Sequence, residues 1–412
     1  MARAVEAEGR RHGNSRWGLL DELADNLLRA TAHAATKDAY SIAIDGTTMP
    51  SWGTRRRTNV VGPDGTTIVE RISTDPDAHW RGRSKESWKR PVFGYDITGA
   101  VRVKDIDGDN VPMALLAMRF RPATTTPVKM ALSVTGAVAK TQEQLGDVLV
   151  DREYTKNIDG SDFILPVRSL GGEPIFDLDE NQRGGRGTRR GALIIDGQPF
   201  SPSLPTALHD IKVPAVNATI EERLTYQAKI AARAVYAMKP YGSRKADSQQ
   251  TYECPASAGQ LKCPLRAPHG VVKRGTLRVY SHPTNVVVDS VCAHAFTTFA
   301  ATDIPLAQRE LYGSAQWFFS CARRNRVEGF FGNTKNEAVE NLRRGVIRMR
   351  GGMKTGLATL VILGATNLRL AERWDAQVAK PKKAKRGRPR RQSLITYSQV
   401  VVAASSTGPP AT

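Results

Sequence analysis

The sequence predicts an α/β fold, with a mixed β-sheet flanked by helices and an inserted domain. Two apolar segments have the length of buried strands. The first, in residues 40–48, is apolar as far as Asp45, and the second, residues 145–150, is followed directly by Asp151. Residues 355–374 predict a long apolar helix. Between residues 181 and 303 a glycine- and arginine-rich connector is followed by short apolar runs. This change indicates a domain inserted into the domain that contains the two strands and the long helix.

At the N-terminus, residues 1–39 predict a short helical segment, because apolar side chains in residues 17–36 recur at spacings of three and four. The next strand ends at Asp45, which precedes a glycine, so a turn former is the alternative for this acid. Residues 51–90 predict a loop in which tryptophans are interleaved with basic residues. This composition suits phosphate contacts and base stacking, and a solvated loop is the alternative.

A β-hairpin is predicted from residues 92–104 and 111–120. Its turn, Asp105 to Asn110, resembles the start of a calcium-binding loop. A calcium loop requires glycine at position six and glutamate at position twelve, and the sequence has Asn110 and Leu116 there. The segment therefore predicts a plain turn.

Residues 127–143 predict a helix with one face toward a core, followed by the strand of residues 145–150. This strand leads directly into Asp151. Residues 162–168 predict a further short strand. In the inserted domain, residues 184–191 predict a flexible basic connector, residues 192–195 and 286–291 predict strands, and residues 220–238 predict a helix.

The cysteines of the inserted domain raise the question of zinc. Cys254, Cys263 and Cys292 are candidate ligands, with His282 or His294 as the fourth. Zinc sites usually contain closely spaced cysteine pairs, whereas Cys254 and Cys263 are nine residues apart. Buried thiols are therefore the favoured interpretation, with bound zinc as the alternative.

A third acid, Glu328, lies in a basic segment near the C-terminal end of the sequence. Val327, Phe330 and Phe331 have the spacing of a helix that packs on a core. Arg324 lies four residues before the glutamate and Lys335 seven residues after it, so all three project from one helix face. An ordinary solvated helix is the alternative. Residues 334–350 predict a basic helix.

The C-terminal residues 376–412 predict a disordered basic tail. Arg386 and Arg388 flank a glycine in an extended segment that suits a narrow A·T-rich minor groove, and a merely solubilising tail is the alternative. The whole chain of 412 residues has a formal net charge of +20 and a pI near 10.0, which indicates a polyanionic partner, nucleic acid first. The sequence shows neither a membrane span nor a signal peptide, and we expect a cytoplasmic, nucleoid-associated protein without a membrane partner.

Asp45, Asp151 and Glu328 become informative when they are considered together. If the strands of the two aspartates are parallel neighbours, both acids emerge at the same edge of the sheet, and a helix packed on the sheet can bring Glu328 there. Three converging carboxylates repel one another unless a cation lies between them. Mg²⁺ prefers carboxylate oxygens, and two such ions catalyse phosphodiester displacement.

Four segments in this order resemble the DDE transposases of bacterial insertion sequences, of the broad IS4-like and IS1182-like kind. They are Ile44-Asp45-Gly-Thr-Thr, Thr74-Asp-Pro-Asp-Ala78 leading to Phe93-Gly-Tyr95, Val150-Asp151-Arg-Glu-Tyr154, and Arg326-Val-Glu328-Gly-Phe-Phe-Gly-Asn-Thr-Lys335. The similarity spans roughly residues 40–185 and 310–372. It departs from the family at Glu153, where relatives often have glycine, and at Cys321, where some have tyrosine.

The resemblance implies an RNase H-like catalytic core in residues 40–185 and 305–375, with an insertion domain in residues 186–304. It implies that Asp45, Asp151 and Glu328 hold two Mg²⁺ or Mn²⁺ ions and that Arg324, Arg326 and Lys335 contact DNA. The expected activity is metal-dependent cleavage and strand transfer at the terminal inverted repeats, by a homodimer in the synaptic complex. A non-catalytic DNA-binding protein derived from a transposase, or a nuclease that only hydrolyses, is the alternative.

Overall fold

A computed structural model describes residues 16–34, 39–61, 63–81, 91–123, 125–215, 217–245, 247–261, 263, 273–274, 277–278, 291–292, 294–343 and 345–379. Within these ranges the helices are α1 (Arg16–Thr31), α2 (Pro127–Ala139), α3 (Ile164–Ser169), α4 (Ile220–Ala234), α5 (Ala315–Ala322), α6 (Asn325–Thr334) and α7 (Gly352–Val378).

The strands are β1 (Ile42–Pro50), β2 (Arg55–Val61), β3 (Thr67–Ser73), β4 (His79–Arg81), β5 (Val92–Arg102), β6 (Leu115–Pro122), β7 (Asp147–Val150), β8 (Glu173–Phe176), β9 (Gly185–Arg189), β10 (Ala192–Ile195), β11 (Gln198–Phe200), β12 (Lys239–Tyr241), β13 (Gln250–Glu253), β14 (Lys273–Arg274), β15 (Leu277–Arg278) and β16 (Phe296–Phe299). The described chain divides into two compact units. The first contains the residues up to Tyr154, Leu170–Gly172 and the residues from Arg323 onward. The second contains Thr155–Ser169 and Glu173–Ala322.

The sheet of the first unit is mixed, and β1 lies in its interior. On one side β1 pairs antiparallel with β5, from Ile42 opposite Arg102 to Pro50 opposite Gly94. On the other side it pairs parallel with β7. Strand β6 is antiparallel to β5, as the predicted hairpin requires. The α/β class and the hairpin predicted from the sequence are therefore confirmed, and the condition that the strands of the two aspartates are parallel neighbours is met.

Helices flank this sheet. Helix α2 packs against β5 and β6, and α1 packs against β6 and α7, so the N-terminal helix belongs to the same compact unit as the last one. Helix α6 packs against β1 and β5. Buried apolar side chains such as Leu20, Phe120 and Leu360 fill the space between these layers, and burial of such side chains is the main source of their stability.

Two buried polar side chains connect α7 to the rest of the first unit. Asp75 is fully buried and accepts hydrogen bonds from the Ser51 and Tyr95 hydroxyls and from the backbone N–H of Gly351, just before α7. Within α7, the Asn367 side chain both donates to and accepts from the backbone of Leu115 at the start of β6. These bonds fix where the helix begins and how it is rotated.

Several local predictions were wrong. Residues 51–90 contain strands β2, β3 and β4 instead of a continuous loop, and residues 184–191 contain strand β9 of a hairpin instead of a connector. The strand predicted for residues 162–168 is not formed: residues 164–168 lie in helix α3, because a short apolar run does not distinguish the two. The basic helix predicted for residues 334–350 is not found in the described residues: after Thr334, which ends α6, residues 335–343 and 345–350 are turns and irregular segments.

The second unit contains two three-stranded sheets, β11–β10–β9 and β12–β13–β16. Its longest helix, α4, begins with a capping box in which Thr219 and Glu222 satisfy each other's backbone N–H groups. Buried Arg168 in α3 donates to the carbonyl oxygens of Pro305 and Ala307, and burial lowers its pKa to about 10. The bounds of this unit are wider than those of the predicted insertion, residues 186–304.

Cys254 is buried in the apolar core of the second unit, and Cys292 packs against the same cluster. Of the other candidate zinc ligands, Cys263 is partly buried, while His282 lies outside the described residues. A separate finding concerns membranes: none of the described helices is both long and apolar enough to cross a bilayer.

Candidate functional site

The parallel pairing of β1 with β7 places the first two acids side by side. Ala43 pairs with Leu149, and each aspartate follows two residues later on its own strand, Asp45 in β1 and Asp151 just after β7. The sequence predicted that this strand ends at Asp45. In the structure β1 continues beyond it, because β5 pairs with it as far as Pro50. The equal register is what aligns the two carboxylates.

Both aspartates are oriented in the same way. Asp45 accepts a hydrogen bond through Oδ1 from the backbone N–H of Gly46, at 2.7 Å, and Asp151 accepts one through Oδ1 from Arg152, at 2.8 Å. One carboxylate oxygen of each side chain is thus fixed by its own backbone. The second oxygen, Oδ2, is directed toward the third element of the site.

That element is the turn leading into α6. Val327, Phe330 and Phe331 are buried, as their spacing predicted. Phe331 approaches the sheet at Gly99, the residue opposite Asp45 on β5, where a Cβ atom would lie 3.2 Å from the phenyl ring. The absence of a side chain at Gly99 therefore lets α6 come close to the strand that carries the first acid. Glu328 remains half exposed on the helix.

Arg324, immediately before α6, contacts all three acids. Its Nη2 atom donates to Oε1 of Glu328 at 2.8 Å, one helical turn further on. Its Nη1 atom lies 3.7 Å from Oδ2 of Asp45 and 4.0 Å from Oδ2 of Asp151. The three carboxylates, which are far apart in the sequence, therefore converge on one guanidinium group.

Lys335 ends the same helix and returns to β1. Its Nζ atom donates to the hydroxyl of Thr47, two residues after Asp45 and thus on the same face of the strand. The sequence analysis placed Lys335 near the glutamate but did not single out Thr47. The contact adds a second cation beside the acids.

Two other residues of the motifs face elsewhere. Arg326 is turned into the unit, where it donates to the carbonyl oxygen of Val111 and burial lowers its pKa. The contact of Arg326 with DNA stays a prediction. Glu153, the departure from the family pattern, lies 3.6 Å from Arg81, which also pairs with buried Asp96. Glu153 is therefore partly neutralised by a cation that is separate from Arg324.

A buried ion pair that was not predicted from the sequence attaches the turn before α6 to the sheet. Arg323 donates to Asp147 at the start of β7 and to the carbonyl oxygen of Lys104. Consecutive arginines thus connect the α6 turn to both ends of the same strand, Arg323 to the residue that begins it and Arg324 to the acid that follows it. Acids and arginines so far apart in the sequence give no local signal of this pairing.

The donor set at the site is three carboxylates, whose hard oxygen atoms suit Mg²⁺ or Mn²⁺. In the described part of the chain, no three acidic, histidine or cysteine side chains form a ready-made metal-binding group. At this site the shared cation is the Arg324 guanidinium. Three carboxylates that converge on one positive charge suit a divalent cation, which could bind them once the Arg324 side chain moves away from them.

The predicted DNA contacts of Arg386 and Arg388 lie outside the described residues. No protein-family model matches the chain, and no curated protein matches it significantly. The site geometry and the sequence motifs therefore provide the basis for a functional proposal.

Proposed function

We propose that the chain is a DDE transposase that cleaves DNA at the ends of its element and joins them to target DNA. The observation that carries this proposal is the convergence of Asp45, Asp151 and Glu328 on one cation. The Arg324–Glu328 pair alone would suit an ordinary solvated helix, but such a helix does not account for the approach of the same guanidinium to two aspartates from neighbouring parallel strands. The net charge of +20 supports a polyanionic substrate.

We also propose that the first unit is an RNase H-like catalytic core. Its mixed sheet has the first acid on an interior strand, the second after a parallel neighbour, and the third on a helix that packs on the same sheet. The second unit separates the second acid from the third along the chain, as the resemblance implies for an insertion domain.

In this proposal Asp45, Asp151 and Glu328 would hold two Mg²⁺ or Mn²⁺ ions. Bound in this way, the ions would activate the attacking oxygen and stabilise the leaving one. Gly46 and Arg152 hold the aspartates in place through their backbone N–H groups. Lys335 would bind a DNA phosphate beside Thr47, and the tail with Arg386 and Arg388 would add sequence-independent affinity.

The proposed partners are the terminal inverted repeats and the target DNA, with a second copy of the chain in the synaptic complex. The proposed location is the bacterial nucleoid, where these DNA sites are. These assignments rest on the resemblance and on the charge of the chain, and each depends on the catalytic proposal.

The test is incubation of the purified chain with supercoiled DNA that carries the inverted repeats flanking its own reading frame, in Mg²⁺ or Mn²⁺. We expect nicks and joined products from the wild type. Asp151→Asn should reduce nicking by roughly a thousand-fold, since several kcal/mol of transition-state stabilisation are lost.

The matched control is Asp64→Asn, which removes an exposed carboxylate from the turn between β2 and β3 and should leave nicking unchanged. DNA binding without nicking by the wild type would favour a non-catalytic DNA-binding protein. Nicks without joined products would favour a nuclease that only hydrolyses. Equal nicking by Asp151→Asn and the wild type would remove the acids from the mechanism.

A further inference from the structure

The Arg324 side chain lies among the three carboxylates that would hold the metal ions. Its exposed fraction is 19%, lower than that of Asp45 (24%), Asp151 (45%) or Glu328 (52%). The Arg324 side chain is therefore the least exposed of the four.

The contacts of Arg324 are unequal. With Glu328 it makes a direct hydrogen bond of 2.8 Å, whereas its distances to Asp45 and Asp151, 3.7 and 4.0 Å, exceed those of direct hydrogen bonds. The neighbouring backbone is fixed independently, because Arg323 is anchored to Asp147 and to the carbonyl oxygen of Lys104. The Arg324 side chain can thus change its partners while the start of α6 stays in place.

We propose that Arg324 is an internal counter-ion that couples metal binding to the capture of a DNA phosphate. This inference rests on the proposed function, and it assigns Arg324 a role before catalysis. Without ligands, the guanidinium offsets part of the negative charge of the three carboxylates and competes with divalent cations. When a DNA phosphate binds the guanidinium, the carboxylates become available to divalent cations. When cations bind the carboxylates, the guanidinium becomes available to a phosphate.

Because the two events share one side chain, each favours the other. Thermodynamic linkage requires the effect to be reciprocal: DNA raises the affinity for the metal by the same factor by which the metal raises the affinity for DNA. The physical basis is a guanidinium that matches carboxylate and phosphate geometry equally well. Such coupling would weaken the binding of metal in the absence of DNA.

The test measures Mn²⁺ affinity by calorimetry, with and without a short DNA duplex, after subtraction of a titration of the duplex alone. In the wild type, the duplex should raise Mn²⁺ affinity by roughly tenfold, within the usual range of coupling between two sites. In Arg324→Gln, Mn²⁺ should bind roughly tenfold more tightly without DNA, and the duplex should add no further increase.

Arg29→Gln is the matched control, since it removes one positive charge from an exposed arginine of α1 that is bonded to Asn26. It should behave as the wild type in both titrations. If Arg324→Gln keeps the wild-type affinity and the wild-type response to DNA, the counter-ion role is overturned, while the metal site stands. If the wild type binds no more Mn²⁺ than Asp151→Asn, the metal site itself fails, and the proposed function falls with it.

Discussion

Arg323 and Asp147 form a buried ion pair, with Nη2 of the guanidinium 2.5 Å from Oδ2 of the carboxylate. The exposed fractions of the two side chains are 7% and 5%. The pair joins the turn before α6 to the first residue of β7, so the helix that carries Glu328 is fixed to the strand that precedes Asp151. Stability of the first unit and geometry of the site therefore depend on the same contact.

Replacing Arg323 by methionine should destabilise the protein strongly. The change leaves the Asp147 carboxylate buried without this cation, and breaking a buried pair in this way costs about 3–5 kcal/mol. We expect a matching decrease in the midpoint of urea unfolding. Arg343→Met is the control, because Arg343 and Glu337 form an exposed pair, and its loss should cost less than about 1 kcal/mol. Equal shifts for both variants would contradict the structural role of Arg323.

Asn367→Ala should also be destabilising, by about 2–4 kcal/mol, since it leaves both backbone groups of Leu115 without the side chain that bonds them. The cost should appear as a lower unfolding midpoint and as faster amide exchange at Leu115. Asn26→Ala, at an exposed position of α1, should change neither measurement. Normal exchange at Leu115 in Asn367→Ala would show that these bonds are dispensable.

Lys335→Ala should weaken the binding of duplex DNA at every sequence tested. If Lys335 binds one phosphate, the slope of log affinity against log salt should become shallower by about one. Fluorescence anisotropy over a range of salt concentrations gives this slope. Lys140→Ala, at the exposed end of α2 and before the start of β7, should keep the wild-type slope. A slope unchanged in Lys335→Ala would place this lysine outside the DNA interface.

The buried Tyr95 side chain should make the free energy of unfolding depend on pH. Burial, together with the hydrogen bond to Asp75, raises the pKa of its phenol far above the usual value near 10. A group whose pKa is raised on folding stabilises the folded state fully below its unfolded pKa, and this contribution is lost as the pH rises toward the folded pKa. The free energy of unfolding should therefore fall above a pH of about 10.

Tyr95→Phe should remove this part of the alkaline dependence, and it should cost about 1–2 kcal/mol at neutral pH through the lost bond to Asp75. Urea unfolding at a series of pH values measures both effects. Tyr241→Phe, at an exposed tyrosine of β12, should leave the curve unchanged. An identical alkaline decrease in Tyr95→Phe and the wild type would assign the effect to other groups.

Much of the fold could be predicted because its signals are local. The apolar run before Asp45, the hairpin of β5 and β6, and the apolar spacing of Val327, Phe330 and Phe331 each predicted an element that the structure contains. Short segments were harder. The run that forms α3 is six residues long, too short for its periodicity to distinguish a helix from a strand.

The sequence by itself determined the type of each acid, its place on a strand or helix, and the basic character of the chain. Only the tertiary structure decided that Asp45, Asp151 and Glu328 contact one guanidinium, and that Arg324 faces these acids while Arg326 bonds the carbonyl oxygen of Val111. The physical reason is the distance along the sequence between the residues that determine each feature. Periodicity reflects neighbours within a few residues, whereas strand register and helix packing are set by contacts between segments more than a hundred residues apart.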